Sequence, residues 1–564
     1  MGNHKLLSLV LLSTMLVMVG CAGIAENPAD TVLVNGSFYT VDSEQSWAEA
    51  VAIEEGVIVY VGSMEGIESY RGEETEVIDL EGKFAMPAFV DSHMHPAANA
   101  YSTLFTASLT GLYSHEDYIA KIREFAEANP DKSGIMGSGF ERSLYDAIGP
   151  RKEWLDEIDS MRPIAIVSGD IHSMWVNSKT LELLGITADT PNPAGGVIQR
   201  DPVTGEPTGL LQEYAAFNPA WELMPPATKE DYKTALLWLQ EWLNAKGITT
   251  AHDAWMEFDP NYYRAYDELA KEGKLTVRYR GSWYIDPDLD YLSEIEYGLE
   301  LAEKYNHPHF QVHSFKFLAD AVLEEETALL LEPYTHRPDY YGSKLWTDEA
   351  LAAAFTRVDG AGYQIHVHVI GDGAAKYTLN ALEQAQEANG AKDARHSLAH
   401  IQLIRPEDVN KMGELGIIAH MSPYWMVMDE GFDSFYLPYL GTERANNTYP
   451  HKDLFDASVN VTLASDWPTS EPDPMTAIYN GIVRSSLGGA QLPPAEQCVS
   501  LEQMLATITI NGAYANFLED EIGSIEVGKR ADIVVLSEDL FNIDAEEIPG
   551  VEVEMTFFEG ERVH

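Results

Sequence analysis

The feature that most constrains the fold is an alternation of short apolar runs and helix-like runs through the middle of the chain. Stretches with helical periodicity, such as LAAAFTRVDGAG and AKYTLNALEQAQEA, separate the apolar runs. Strands that alternate with helices predict parallel β/α units, because a parallel connection needs a crossover. The count of eight candidate strands predicts an α/β fold, a (β/α)8 TIM barrel. These strands lie at residues 88–93, 248–253, 275–283, 310–317, 363–369, 396–401, 417–421 and 459–465.

Two further parts surround the predicted barrel, which is expected at 88–500. Short strand-like runs separated by turn signals fill residues 31–87, and similar runs follow a last helix within 501–564, so we expect a small β-sandwich formed from both termini. About 150 residues separate the first two predicted barrel strands, too many for a loop. We therefore expect an insertion at about 97–246, folded over the barrel mouth, with its own strand signals in IMGSGF and PIAIVSGD.

The first predicted barrel strand ends in a pair of histidines. The stretch FAMPAFVDSHMHP, from Phe84 to Pro96, contains His93-Met94-His95. Side chains two apart on a strand point to the same side, so both imidazoles can aim at one point. Converging neutral imidazoles suit a divalent metal such as zinc, although such pairs also occur by chance and the motif alone is weak.

Further polar residues stand where later predicted strands end. Lys316 and Asp466 end the fourth and eighth runs, and histidines end the fifth and sixth. Each alone could be a hydrogen-bonded core residue, because burying it unpaired costs free energy. The active site of such a barrel lies at the carboxyl ends of its strands, so together these residues predict one shared site.

A set of motifs in this order resembles the amidohydrolase superfamily, and most closely its YtcJ-like branch, which includes N-substituted formamide deformylases. The motifs are TVLVNGSFYTVD, VIDLEGKFAMPAFVDSHMHP, HVIGDGA, ASDWP and IGSIEVGKRADIVVL. The resemblance covers nearly the whole chain after the N-terminal segment. It implies the same barrel with a sandwich built from both termini, and one or two divalent metal ions, most often zinc.

The resemblance also implies a set of metal ligands. Lys316 would be the fourth-strand lysine, either free or carboxylated to a bridging carbamate, and Asp466 would be both a ligand and the catalytic proton shuttle. His366 lies on the same strand face as His368, which leaves open which of the two ligates the metal. The implied ligands are His93, His95, Lys316, His368, His400 and Asp466.

Other residues are candidates for substrate contacts. His172 in GDIHSMW would be a catalytic residue that holds the substrate carbonyl or a developing oxyanion, with a structural histidine as the alternative. His252 and Asp253 end the second predicted strand and either lie near the pocket floor or cap the strand. Trp283 and Trp425 follow strand ends and either line an apolar pocket or pack in the core.

The physical chemistry of such a site favours hydrolysis. A bound zinc lowers the pKa of its water from about 16 to about 7, and a neighbouring carboxylate can carry the proton to a leaving amine. We therefore expect hydrolysis of a non-peptide C–N bond in a small-molecule amide or formamide, a substrate class that rests on the resemblance. The alternatives are a cyclic amide hydrolase or deaminase of the same superfamily, and a non-catalytic surface lipoprotein that binds a small ligand.

Charge and the first residues bear on partners and location. The formal charge of −54 disfavours nucleic acid, whose phosphates would be repelled, and a homodimer stays open. Lys5 precedes a short apolar run and Gly20-Cys21, which predicts a lipoprotein-type signal peptide at 1–20 and a tether at 21–30. Lipidation of Cys21 would make the protein an exported, membrane-anchored lipoprotein of the cell envelope, with ordinary signal cleavage nearby as the alternative.

Overall fold

Eight parallel strands form the central sheet of a computed structural model, which describes residues 28–564 apart from 147, 170, 171, 194, 257, 258 and 430. Each strand pairs with the next one along the chain, and the backbone N–H of Asp466 donates to the carbonyl of His93 at 2.8 Å, which links the last strand to the first. All eight predicted strands are present and the predicted barrel is confirmed. The barrel strands 1 to 8 are Phe89–Met94, Ile248–Met256, Arg278–Tyr284, Phe310–Leu318, Gln364–Val369, Ser397–His400, Ile418–Met421 and Val461–Leu463.

Amphipathic helices cover the outside of the barrel. The helix before strand 2 shows why: Thr228 caps it in a capping box with Asp231, and Leu236, Leu239 and Leu243 recur at helical spacing on its buried face. The barrel helices are Lys229–Ala245, Pro260–Lys271, Tyr291–Lys304, Asp348–Gly360, Asp372–Asn389, Pro406–Leu415, Leu437–Ala445, His451–Asp456, Pro474–Val483, Leu501–Thr507 and Ile510–Ala515.

Both ends of the described chain meet in a β-sandwich, as predicted. The strand Phe84–Pro87 pairs with the C-terminal strand Ile533–Leu536 and leads directly into barrel strand 1, so the sandwich fixes where the His-x-His strand begins. One sheet contains Thr31–Val34, Ala50–Glu54, Val57–Gly62 and Glu76–Asp79, and the other contains Ser37–Tyr39, Trp47–Ala48, Phe84–Pro87, Ile533–Leu536, Val553–Phe558 and Glu561–Arg562.

The predicted insertion after strand 1 has its own six-stranded sheet and its own apolar core around Trp175. The two strand signals noted in the sequence form Ile135–Phe140 and Ile164–Ser168, which pair in parallel. Its other strands are Ala107–Ser108, Ser173–Val176, Val197–Arg200 and Pro207–Gln212, and its helices are Pro96–Phe105, His115–Ala128, Lys152–Asp156, Ser178–Leu184 and Tyr214–Glu222.

A buried ionic cluster joins the sandwich to the amino-terminal end of the barrel. Arg278, the first residue of strand 3, forms an ion pair with Asp532 and donates to Glu559 Oε1 at 2.8 Å. His309 Nε2 lies 3.0 Å from the same Glu559 oxygen. Since Asp532 and Glu559 both belong to the C-terminal part of the sandwich, the cluster ties the two parts together.

Within the described residues, no helix is both long enough and apolar enough to cross a membrane. The predicted signal peptide at 1–20 and the predicted lipidation site Cys21 lie outside the described residues.

Candidate metal centre

Two imidazoles converge on one carboxylate oxygen at the carboxyl end of the barrel. The Nε2 atoms of His93 and His95 lie 3.1 and 3.0 Å from Asp466 Oδ1. One ligand atom from each of the three residues can be chosen so that all lie within 4.8 Å of one another, a spacing that could hold one metal ion. His93 is buried, whereas His95 and Asp466 are partly exposed, so a substrate can approach from the mouth of the barrel.

The backbone around these residues is held in place from both sides. Asp91 Oδ1 accepts the N–H groups of His93 and Ser465, both at 3.2 Å, which ties strand 1 to the loop after strand 8. Asp466 has φ 54° and His400 has φ 76°, a left-handed region that non-glycine residues seldom adopt. Such strain persists only where the surrounding structure enforces it, and it is common at functional sites.

His400 and His368 lie beside His93, and Lys316 is buried on strand 4 in register with His366. The ring of His400 lies 4.8 Å from that of His93 and 4.6 Å from that of His368. His368 Nε2 lies 3.1 Å from the carbonyl of Ala321, so donation there leaves its Nδ1 lone pair for another partner. Within the described chain, the buried Nδ1 of His400 has no hydrogen-bond partner.

Burial keeps these nitrogen atoms neutral. It lowers the pKa of His93 and of His400 well below the ordinary value, and together with the positive charge of Lys316 it lowers the pKa of His368 to about 4. Burial also lowers the pKa of Lys316 to about 7, although the charge of Asp466 opposes the shift. Neutral imidazoles and an unprotonated amine have the free lone pairs that a metal ligand needs.

The donor set therefore fits a divalent metal of the zinc type, with nitrogen ligands and a carboxylate. His93, His95 and Asp466 would hold the ion most directly. His400 and His368 follow in a chain of neighbouring rings from His93, and the roles of Lys316, His368 and His400 as ligands stay predictions.

His366 lies one layer deeper than His368, on the far side of the His93 ring. Its Nε2 is 2.7 Å from His93 Nδ1, whereas the Nε2 of His93 faces Asp466. The geometry therefore favours His368 over His366 as the strand 5 ligand.

Two of the four candidate pocket residues lie at or beneath the centre. The ring of Trp425 stacks on that of His400, with centroids 5.2 Å apart and an interplanar angle of 22°, and its Nε1–H donates to Ser470 at 2.9 Å. His252 lies inside the barrel below the ligands, with its ring nitrogens 2.9 Å from Asn516 Oδ1 and 2.7 Å from Ser282 Oγ.

The other two pocket assignments are wrong. Asp253 accepts hydrogen bonds from Tyr262 and Tyr266 at 2.6 and 2.9 Å, so it faces the helix layer. Trp283 also faces outwards, with its ring 5.4 Å from that of Tyr297 on a barrel helix. Successive strand residues point to opposite faces, so His252 inside the barrel forces Asp253 outside.

His172 lies on the insertion and its side chain is half exposed. Its Nδ1 is 3.0 Å from Glu213 Oε2, and it follows the strand Ile164–Ser168 closely in the chain. The exposure of the ring disfavours the packed structural alternative. The catalytic role of His172 stays a prediction.

One residue near the centre was missed in the sequence. His420 is buried on strand 7, and its ring stacks on that of His366 with centroids 4.6 Å apart and an interplanar angle of 21°. The signal was a histidine inside the apolar run 417–421, the same pattern that drew attention to His366.

Barrels that gather imidazoles and a carboxylate at their strand ends are characteristic of metal-dependent hydrolases. The model of the amidohydrolase family matches residues 76–564, and the chain belongs to this family. It is 30% identical to the amidohydrolase YtcJ of Bacillus subtilis, over 94% of this chain and 98% of that protein.

Two other comparisons extend this result. The N-substituted formamide deformylase of Arthrobacter pascens is 26% identical, over 94% of this chain and 97% of the enzyme. A crystal structure of a metal-dependent hydrolase from Pyrococcus furiosus superimposes with a TM-score of 0.71 at 26% identity, covering 90% of this chain and 99% of that one.

Proposed function

We propose that this protein is a metal-dependent hydrolase of a non-peptide C–N bond, with an N-substituted formamide or a related small amide as substrate. The observation that carries the proposal is the convergence of His93 Nε2 and His95 Nε2 on Asp466 Oδ1, at 3.1 and 3.0 Å. The formamide class is supported by the similarity to a deformylase along nearly the whole chain.

A bound divalent metal would polarise the scissile carbonyl and make a water molecule acidic enough to attack it at neutral pH. Asp466 is the group that would move protons. Burial acts to raise its pKa, but the close contacts of Oδ1 with His93 and His95 outweigh burial and hold the pKa well below the ordinary value. An ionised Asp466 can accept the proton of the attacking water and donate it to the leaving amine.

Lys316 can serve the centre in either of two forms. Because its pKa is about 7, Lys316 is a neutral amine in a large fraction of the molecules at neutral pH. A neutral amine can ligate directly, or it can attack carbon dioxide, forming an N–C bond and releasing one proton to give a carbamate. The carbamate would offer two oxygen ligands, enough to bridge two metal ions.

A substrate screen with metal-loaded enzyme tests the function. Purified protein reconstituted with zinc or manganese is offered N-substituted formamides, longer acyl amides, cyclic ureas and ring amines. We expect release of an amine and formate from the formamides at the highest kcat/KM. Ammonia release from ring amines alone would assign a deaminase instead. Less than one equivalent of tightly held metal, without hydrolysis of any compound, would favour the non-catalytic alternative.

We also propose that the protein is exported and anchored through a lipid on Cys21, on the strength of the N-terminal sequence pattern. Full-length protein expressed in a bacterial host should partition into detergent, and Cys21→Ser should partition into the aqueous phase. Partition of both proteins into the aqueous phase would contradict the anchor.

A further inference from the structure

The interior of the barrel below the candidate metal centre is lined with histidines. His252, His366 and His420 are all buried there, and the rings of His366 and His420 lie 4.8 and 6.4 Å from that of His93. Barrel interiors are usually filled by branched apolar side chains, so a cluster of imidazoles needs a physical reason.

The contact between His93 and His366 supplies that reason. His366 Nε2 lies 2.7 Å from His93 Nδ1, a distance that requires one nitrogen to donate and the other to accept. One hydrogen therefore lies between the two nitrogens, and the two rings share a single N–H in this contact.

The role of His93 in the metal centre decides the direction of this hydrogen bond. His93 Nε2 faces Asp466 and is the atom that would bind the ion, so its proton must be on Nδ1. His93 Nδ1–H then donates to His366 Nε2. Metal-binding histidines nearly always donate their second N–H to a fixed acceptor, which sets the tautomer and the orientation of the ring.

His366 is well suited to be such a fixed acceptor. In the sheet, His366 is in register with Lys316 on strand 4 and with Ser397 on strand 6. Its ring stacks on that of His420. His420 is held in turn by a contact of 2.6 Å between its Nδ1 and Thr462 Oγ1. The support therefore runs from strand 8 through two stacked rings to the ligand on strand 1.

We propose that His366 is the positioning residue that fixes the tautomer and orientation of His93 in the metal centre. This inference rests on the metal centre of the proposed function. His366 does not itself ligate in this arrangement, because its Nε2 is occupied by His93. The buried Nδ1 of His366, which would carry the proton, has no hydrogen-bond partner among the described residues, so stability alone does not explain the residue.

Two substitutions separate positioning from packing. His366→Phe keeps a ring of similar size but removes the acceptor, whereas His366→Gln can place its side-chain oxygen near the position of Nε2. The matched control is His451→Phe, which changes another fully buried histidine, one whose ring packs on Phe455 in the helix His451–Asp456. Metal affinity is measured by competition with a chromophoric chelator, and coordination by the visible spectrum of the cobalt-substituted protein.

We expect His366→Phe to weaken metal binding by about ten- to a hundredfold and to alter the cobalt spectrum, with His366→Gln recovering most of the loss. His451→Phe should bind metal as tightly as the unchanged protein. Wild-type affinity and spectrum in His366→Phe would overturn the proposal. A nitrogen ligand lost from the spectrum of both His366 variants would overturn it too, because His366 would then be a ligand.

These measurements need no substrate, so they separate the two proposals. An unchanged protein that binds metal but hydrolyses nothing would refute only the proposed function. An unchanged protein that binds no metal would refute both.

Discussion

The two ends of the barrel bury polar groups in opposite ways. At the amino-terminal end, Arg278 is paired with Asp532 and Glu559, and Glu559 also meets His309. At the carboxyl end, His93 and His95 crowd one oxygen of Asp466, on a residue with left-handed backbone.

This difference indicates that the two ends of the barrel have different roles. Partners supplied by the protein satisfy the charges of the first cluster, so that cluster joins the sandwich to the barrel. The second cluster has several lone pairs aimed at one small volume, more than its own hydrogen bonds can use. Buried polar groups that the protein leaves incompletely satisfied favour a ligand as the missing partner.

The largest effect is expected when the carboxylate of the mouth loses its charge. Asp466→Asn should lower kcat by about a hundred- to ten-thousandfold, because it removes the proton acceptor. The measurement is kcat on the best substrate of the screen, with metal content determined in parallel. Glu471→Gln is the control, since Glu471 lies in the same loop but pairs with Lys246 at the surface, at 2.9 Å. Equal turnover in Asp466→Asn and Glu471→Gln would remove Asp466 from proton transfer.

Breaking the paired cluster should instead cost stability. Arg278→Met leaves Asp532 buried without its cation, and we expect a loss of about 3 to 5 kcal/mol. The fall in Tm measures the effect. Arg357→Met is the matched control, because Arg357 forms a two-point pair with Glu296 on the surface, at 2.6 and 2.7 Å, and should cost less than about 1 kcal/mol. Similar losses of stability in both variants would mean that the buried pairs of Arg278 stabilise the protein no more than the surface pair of Arg357.

The sequence was informative where the signal is local. Eight apolar runs predicted the eight barrel strands, and the His-x-His spacing predicted that His93 and His95 would share a direction. The outward direction of Asp253 could also have been predicted from the sequence, because neighbouring residues on a strand, such as His252 and Asp253, cannot both point inwards. The ionic cluster had no such signal, because Arg278 and Asp532 are 254 residues apart. The contact between His366 and His93 likewise depends on ring orientation, which spacing does not determine.

Replacing the buried Lys316 should change the stability of the protein in the opposite direction to replacing Arg278. Burial disfavours the charged form of Lys316 and lowers its pKa to about 7, so an apolar side chain of similar length should fit better in the metal-free protein. We expect Lys316→Met to raise stability by about 1 to 3 kcal/mol while weakening metal binding. The readouts are Tm without metal and the chelator competition. Lys452→Met, at a surface pair with Asp456, should change neither. A lower Tm in Lys316→Met would show that the lysine stabilises the barrel and would end the contrast between its two ends.

The smallest expected effect is a pH dependence of the stability that the ionic cluster at the amino-terminal end of the barrel contributes. Burial acts to raise the pKa of Glu559, but the hydrogen bond with His309 and the charge of Arg278 outweigh it and lower the pKa to about 2. A carboxyl whose pKa is lower in the folded state adds stability above its unfolded pKa, about 4.3, and loses it as the pH falls towards 2. After discounting for partial exposure, we expect Glu559→Gln to cost about 1 to 2 kcal/mol at pH 7. The Tm difference between the unchanged protein and Glu559→Gln should then narrow from pH 5 to pH 3.

Glu561→Gln, at an exposed position two residues on, is the control and should show no such narrowing of the Tm difference. A Tm difference that stays constant over this range would mean that the ionised carboxylate of Glu559 does not contribute to the junction, and that Asp532 alone balances the buried Arg278.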